Sequence, residues 1–146
     1  MSDSRVRRTM YDYALYFAWV VSLVATLGSL FLSEVIGFAP CKLCWFQRIF
    51  MYPLVILLGR ASYTNDRGQI AYALPLSIIG GLFSLYHYAE QKIPGLAKLL
   101  PCTSGVPCNE DYLNWFGFIT IPFMALIAFI LITIFLWCGR TKPEQA

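Results

Sequence analysis

The stretch FGFITIPFMALIAFILITIFLW, residues 116–137, runs for 22 residues without a charged side chain. About 20 predominantly apolar residues suffice for a helix to cross the hydrocarbon core of a bilayer. The segment therefore reads as a membrane span. Toward the N-terminus, YALYFAWVVSLVATLGSLFLS at 13–33 supplies 21 residues of the same character. Two further apolar windows lie between them, Trp45 to Gly59 and Ile70 to Tyr88. The former reaches spanning length once Cys41 to Cys44 and Arg60 act as interfacial ends. The latter contains Pro75 and Gly80-Gly81, residues that membrane helices tolerate where neighbours cover the backbone. None of the four windows has the polar stripe that a water-facing helix needs. The expected fold is an all-α integral membrane protein, a single domain built as a four-transmembrane-helix bundle. Its helices are expected over about 12–34, 43–60, 69–89 and 114–137, with outer loops at 35–43 and 90–113.

Composition agrees, with 58% hydrophobic and 13% charged residues against about 25% charged in an ordinary soluble domain. The placement of the basic residues orients the bundle. Arg5, Arg7, Arg8, Arg60, Arg67, Arg140 and Lys142 fall on one side, whereas Lys42, Lys92 and Lys98 fall on the other. By the positive-inside rule both termini are cytoplasmic and the loops at 34–44 and 89–114 face outward. The first window is too long for the apolar region of a signal peptide and has no small-x-small cleavage site after it, so it reads as an uncleaved first helix. No basic stripe supports nucleic-acid binding.

Five cysteines occur, at 41, 44, 102, 108 and 138. The topology puts Cys41, Cys44, Cys102 and Cys108 outside, where disulfides persist, and Cys138 at the reducing cytoplasmic end. Cys138 then reads as a small hydrophobe. Cys41 and Cys44 form a C-x-x-C pair at the start of the second helix, a ring too small to act as an entropic staple. Its thiols are instead placed for exchange, close to the unpaired N–H groups of a helix N-terminus. Arg48 follows Cys44 by four residues and so lies one turn further along the same face. A cation there favours a thiolate at Cys44, and an arginine inside a membrane helix needs a compensating partner or role. It either snorkels to the headgroups or faces an anionic organic acceptor.

The second pair brackets PCTSGVPC at 101–108 and is either a structural staple or a second exchangeable disulfide. A four-cysteine zinc site is disfavoured by the arginine beside one pair, and Trp45 after the motif excludes a c-type haem. His87, the only histidine, falls near the outer end of the third helix, as a proton-exchanging group or as a helix cap. Glu90 is in reach of pairing with His87 or Arg48. Ser22, Thr26 and Ser29 share a face of the first helix, which reads as close packing. GLAKLL at 95–100 is either a surface-lying segment or a loop packed on the bundle.

CKLCWFQR at the start of a second span, a further outer cysteine pair and four spans with both ends inside resemble the DsbB/BdbC family of disulfide-bond formation membrane proteins. The resemblance covers residues 11 to 138 and is closest to the compact Gram-positive form, since only five residues separate Cys102 from Cys108. It implies an enzyme of the bacterial cytoplasmic membrane that reoxidises an extracytoplasmic thioredoxin-fold dithiol oxidase, DsbA/BdbD-like, and passes the electrons to quinone. Menaquinone is the favoured acceptor, with no metal or flavin. By the same resemblance Cys102 is attacked by the reduced partner, Cys108 is its mate, and Cys41 pairs with Cys108 in an interloop disulfide. Cys44 then engages the quinone, with Arg48 and His87 in the quinone site. Two other functions fit parts of the pattern: a vitamin K epoxide reductase-like thiol/quinone oxidoreductase, and a tetraspan scaffold with two structural disulfides.

Overall fold

A computed structural model describes residues 2–93, 95–99 and 119–141. The second cysteine pair, Cys102 and Cys108, lies outside the described residues. Four long helices dominate: α1 (Ser2–Leu30), α2 (Lys42–Thr64), α3 (Ile70–Lys92) and α4 (Ile121–Arg140). Each is long and apolar enough to cross a membrane, and no strand pairs with another among the described residues. α1 continues into a π-helical segment, Phe31–Val35, which ends where the Ile36 amide donates to the Phe31 carbonyl at 3.2 Å.

Two boundaries differ from the sequence expectation for a physical reason. α1 begins ten residues earlier, at Ser2 rather than 12, because apolarity marks the membrane-crossing part of a helix and not the helix. SDSRVRRTM contains no Gly or Pro to interrupt it, and arginine is a good helix former in water. α2 likewise runs on to Thr64 and stops at Asn65, whose φ of 53° is the left-handed conformation that ends helices. α4 starts at Ile121, and the expected residues 114–118 lie outside those described. Pro122 falls in the first turn of α4, where a missing N–H breaks no hydrogen bond, rather than bending the helix interior.

α1 packs on α2, α2 on α3, α3 on α4, and α4 back on α1, so the four helices form a closed ring. The core between them contains Leu54, Leu58, Phe129, Ile132 and Leu136, each at most 1% exposed. Large apolar side chains also face outward, including Ile56 at 74% and Tyr72 at 67% exposed. That outward greasiness is expected where the surrounding solvent is lipid. α3 and α4 approach closely because Gly80 leaves room for the Phe129 ring, which a Cβ there would strike. The Ser77 hydroxyl bridges the same pair, within 3.1 Å of the Phe129 carbonyl and 2.8 Å of Thr133 Oγ1.

The end of the bundle carrying the α2–α3 turn is tied by Arg67. Its guanidinium donates to the carbonyls of Gly139 and Tyr11, both at 3.0 Å, and sits 3.7 Å above the Tyr11 ring. One side chain thereby joins α1, the α2–α3 turn and α4. Of the GLAKLL segment, Leu96–Lys98 forms a single 3₁₀ turn, and the Tyr86 hydroxyl of α3 donates to the Leu96 carbonyl at 3.1 Å. It packs on the bundle.

Candidate functional site

The opposite end of the bundle gathers the chemistry-bearing residues of the first outer motif. Pro40 precedes Cys41, which adopts extended backbone (φ −75°, ψ 174°) as the cap of α2. Helix begins at Lys42, so Cys44 falls within the first turn and its sulfur lies 3.3 Å from that of Cys41. The two thiols are within reach of disulfide formation and exchange. Cys41 is 5% exposed, and Cys44 is more open.

His87, buried to 1% exposure, reaches this pair from α3. Its Nε2 lies 3.6 Å from Cys41 Sγ, while its Nδ1 lies 2.9 Å from the amide nitrogen of Gln47. Gln47 is itself buried, one turn and a half along α2 from Cys41. With the Gln47 amide donating to Nδ1, the imidazole proton resides on Nε2 and points at Cys41. The Cys44 thiol and this imidazole N–H both donate toward the Cys41 sulfur, at the N-terminus of a helix. They hold Cys41 well below the usual thiol range, against the opposing effect of burial.

Arg48 reaches across to α1: its Nε donates to Ser29 Oγ at 2.9 Å and one Nη donates to the Ser29 carbonyl at 3.1 Å. The guanidinium also lies 5.5 Å from the centre of the Trp45 ring. The compensating partner is thus Ser29 on the neighbouring helix. Snorkelling is not needed to explain the arginine. Glu90 is 4% exposed, and its Oε2 makes no hydrogen bond among the described residues.

Cys41, Cys44, Arg48 and His87 form the polar wall of a cavity of about 610 Å³. Ser29, Ser33, Gln47, Tyr52 and Gln91 add polar groups, and the rest of the wall is apolar, contributed chiefly by α1, α2 and α4 through residues such as Val24, Leu32, Met51, Met124, Ile127 and Leu131. A volume of this size is ordinary for an organic ligand. The π-helical end of α1 lines it through Phe31, Leu32 and Ser33.

Of the expected site residues, Cys41, Cys44, Arg48 and His87 come together here. Cys138 lies at the far end of α4, half-buried and apart from the site. Gln47 and Ser29 are the site residues that sequence reasoning missed. Gln47 offered one signal, an uncharged amide among the apolar residues after the C-x-x-C. Ser29 offered none beyond its place on a small-residue face.

An all-α, multi-pass membrane protein with a vicinal dithiol at the mouth of an apolar cavity defines a membrane-embedded thiol oxidoreductase. The comparisons give that class a family. Residues 11–139 match the family described as Disulfide bond formation protein DsbB, and the chain belongs to it. It is 60% identical over 131 residues to Disulfide bond formation protein C of Bacillus subtilis (strain 168), covering 90% of this chain and 95% of that protein. Probable disulfide formation protein C 1 of Bacillus cereus is 52% identical over 128 residues, 88% of this chain and 92% of the relative. The Probable disulfide formation protein of Coxiella burnetii is 51% identical over 132 residues, 90% of each chain. No solved structure matches the chain. The protein is therefore a redox-active enzyme of the DsbB family resident in a bacterial membrane, which sets aside the scaffold and the vitamin K epoxide reductase-like alternatives.

Proposed function

We propose that this chain reoxidises an extracytoplasmic thioredoxin-fold dithiol oxidase and delivers the electrons to membrane quinone through its two cysteine pairs. The observation that carries the reading is the opening of the Cys41/Cys44 pair, with its histidine and arginine, onto an apolar cavity. Both termini are cytoplasmic in this proposal, and the loops carrying the cysteines face the exterior.

On the aqueous side, the reduced partner's thiolate attacks Cys102 of the Cys102–Cys108 disulfide, and Cys108 leaves as the thiolate. The partner's second thiol resolves the mixed disulfide, so the partner departs oxidised and Cys102 and Cys108 remain reduced. Cys108 then attacks Cys41 of the Cys41–Cys44 disulfide, forming a Cys41–Cys108 bond and releasing Cys44 as the thiolate. Attack of Cys102 on Cys108 releases Cys41, which restores the outer disulfide and leaves Cys41 and Cys44 carrying two electrons. Each step exchanges one S–S bond for another, as thiol–disulfide exchange requires.

The cavity suits a quinone: apolar walls accept the ring and the start of its isoprenoid tail, and Arg48 offers a cationic donor to a ring oxygen. Bound there, a quinone supplies a two-electron, two-proton acceptor. The chain's part is to hold Cys44 on the cavity wall, to set Arg48 with Ser29, and to keep the His87 proton next to Cys41. The kinship with the Bacillus proteins favours menaquinone as the acceptor.

Mixing the detergent-solubilised chain with a reduced thioredoxin-fold partner and menaquinone or ubiquinone tests the whole route. Quinone absorbance should fall as the partner is oxidised, faster with menaquinone. Cys44→Ser should abolish the quinone change while the chain keeps its helical content. Turnover of Cys44→Ser near the parental rate would overturn the assignment of the quinone-facing sulfur.

A further inference from the structure

The reduced pair and His87 have a second chemical capability. Cys41 Sγ, Cys44 Sγ and an imidazole nitrogen of His87 all lie within 4.8 Å of one another. Two soft sulfurs and one imidazole are the donor set of a Cys₂His zinc centre, in which the fourth position stays open. We propose that the reduced site binds one thiophilic divalent cation, Zn²⁺ or Cd²⁺, through Cys41, Cys44 and His87, and that the bound cation locks the enzyme in its reduced state.

The geometry fits with little adjustment. Tetrahedral zinc with ordinary bond lengths places two sulfurs about 3.8 Å apart and sulfur and nitrogen about 3.6 Å apart. The observed separations are 3.3 Å between the sulfurs and 3.6 Å between Cys41 Sγ and His87 Nε2. Gln47 supplies the outer support that a ligating histidine needs. A cation on Nε2 moves the imidazole proton to Nδ1, and rotating the Gln47 amide turns its oxygen to accept that proton in place of the present donor contact at 2.9 Å. Charge is balanced as well, since two thiolates neutralise a divalent cation beside an apolar cavity. Arg48, hydrogen-bonded to Ser29 on α1, is not drawn into the ligand set.

This is a different centre from a four-cysteine site, because it takes its third ligand from another helix and needs neither Cys102 nor Cys108. It is gated by redox state. Binding forms two metal–sulfur bonds and one metal–nitrogen bond and expels the Cys44 proton, Cys41 being already a thiolate, while no electron moves. Closing the Cys41–Cys44 disulfide consumes both thiolates and removes the site. A bound cation therefore withholds the pair from reoxidation until a chelator extracts it.

The binding experiment needs neither quinone nor partner. The full chain carrying Cys102→Ser and Cys108→Ser is reduced anaerobically, freed of reductant and titrated with Co²⁺, then Zn²⁺. The expected result is one tetrahedral cobalt–thiolate centre per chain, displaced by Zn²⁺ and absent after oxidation of Cys41/Cys44. Gln47→Leu should weaken binding by about 10- to 100-fold, and His87→Ala by at least about tenfold, with His87→Asn replacing it should the alanine variant not fold. Equal affinity in the oxidised chain, or undiminished affinity in both His87 variants, would overturn the proposal. In the native chain, Zn²⁺ should inhibit turnover when added to the reduced enzyme, with reversal by chelator. That second arm alone rests on the proposed function: cation binding without any thiol:quinone turnover by the metal-free chain would sink the function and leave the metal site standing.

Discussion

Arg48 and Cys41 carry the sharpest consequences of single side chains. Arg48 is held by one side-chain and one backbone acceptor, both from Ser29. Hydrogen bonds to charged groups contribute about 1.5–3 kcal/mol, so Arg48→Ala should raise the quinone concentration for half-maximal rate by about tenfold or more. Ser29→Ala should raise it less, because the backbone carbonyl still anchors the guanidinium. Steady-state quinone titration of the two variants checks the ranking, and an unchanged quinone dependence in Arg48→Ala would show that the arginine serves only to join α1 to α2. For Cys41 the direction of the shift fixes the sign. Its thiolate is favoured in the folded chain, so it persists as pH falls below the ordinary thiol value of about 8.5 and is lost only well into the acid range. Alkylation of Cys41 in the Cys102→Ser, Cys108→Ser chain should decline little between about pH 8 and about pH 6. His87→Ala, which removes one donor, should move the inflection upward.

The helices divide into what local sequence specifies and what only packing reveals. Four spans could be read from apolar length, and the dithiol at the head of α2 from its C-x-x-C spacing, because both are properties of neighbouring residues. The partners of Arg48 and His87 are 19 and 40 residues away in the chain. Such pairings depend on the rotation and depth of one helix against another, which no local pattern encodes. Ser29 looked like a packing residue because serine serves in both capacities. The π-helical end of α1 was equally invisible, since FLSEV differs in no evident way from an α-helical sequence. Widened turns of this kind concentrate at functional sites, and this one lines the cavity. Gly80 is the element-level counterpart: its missing side chain admits Phe129 between α3 and α4. Gly80→Ala should destabilise the bundle by about 1–3 kcal/mol through overpacking, measured as a shift in reversible unfolding by denaturing detergent. A stability equal to that of the parent would mean that Phe129 has an alternative rotamer ready.

Considered whole, the molecule is polarised along its axis. One end holds the dithiol, His87 and Arg48, and the other holds the α2–α3 turn, Arg67 and Cys138. Basic residues concentrate at the Arg67 end, from which the proposed orientation follows. In intact cells a membrane-impermeant thiol reagent should label a cysteine placed at Tyr63, which is 93% exposed in the last turn of α2, only after permeabilisation. A cysteine at Ile36, in the α1–α2 connection, should be labelled without it. The reverse pattern would invert the bundle and place the dithiol in the cytoplasm. The Arg67 contacts to Tyr11 and Gly139 also set where the structure can give way. With both flanking helices pinned at that end, a fluctuation that parts α1 from α4 has its fulcrum there. From Gly139 to Ile121 the lever arm is 18 residues, about 27 Å at 1.5 Å per residue. A tilt of about 5° at the fulcrum then moves the far end by about 2 Å, so small angular freedom becomes a lateral opening next to the sulfurs, the direction from which a lipid-dissolved molecule arrives.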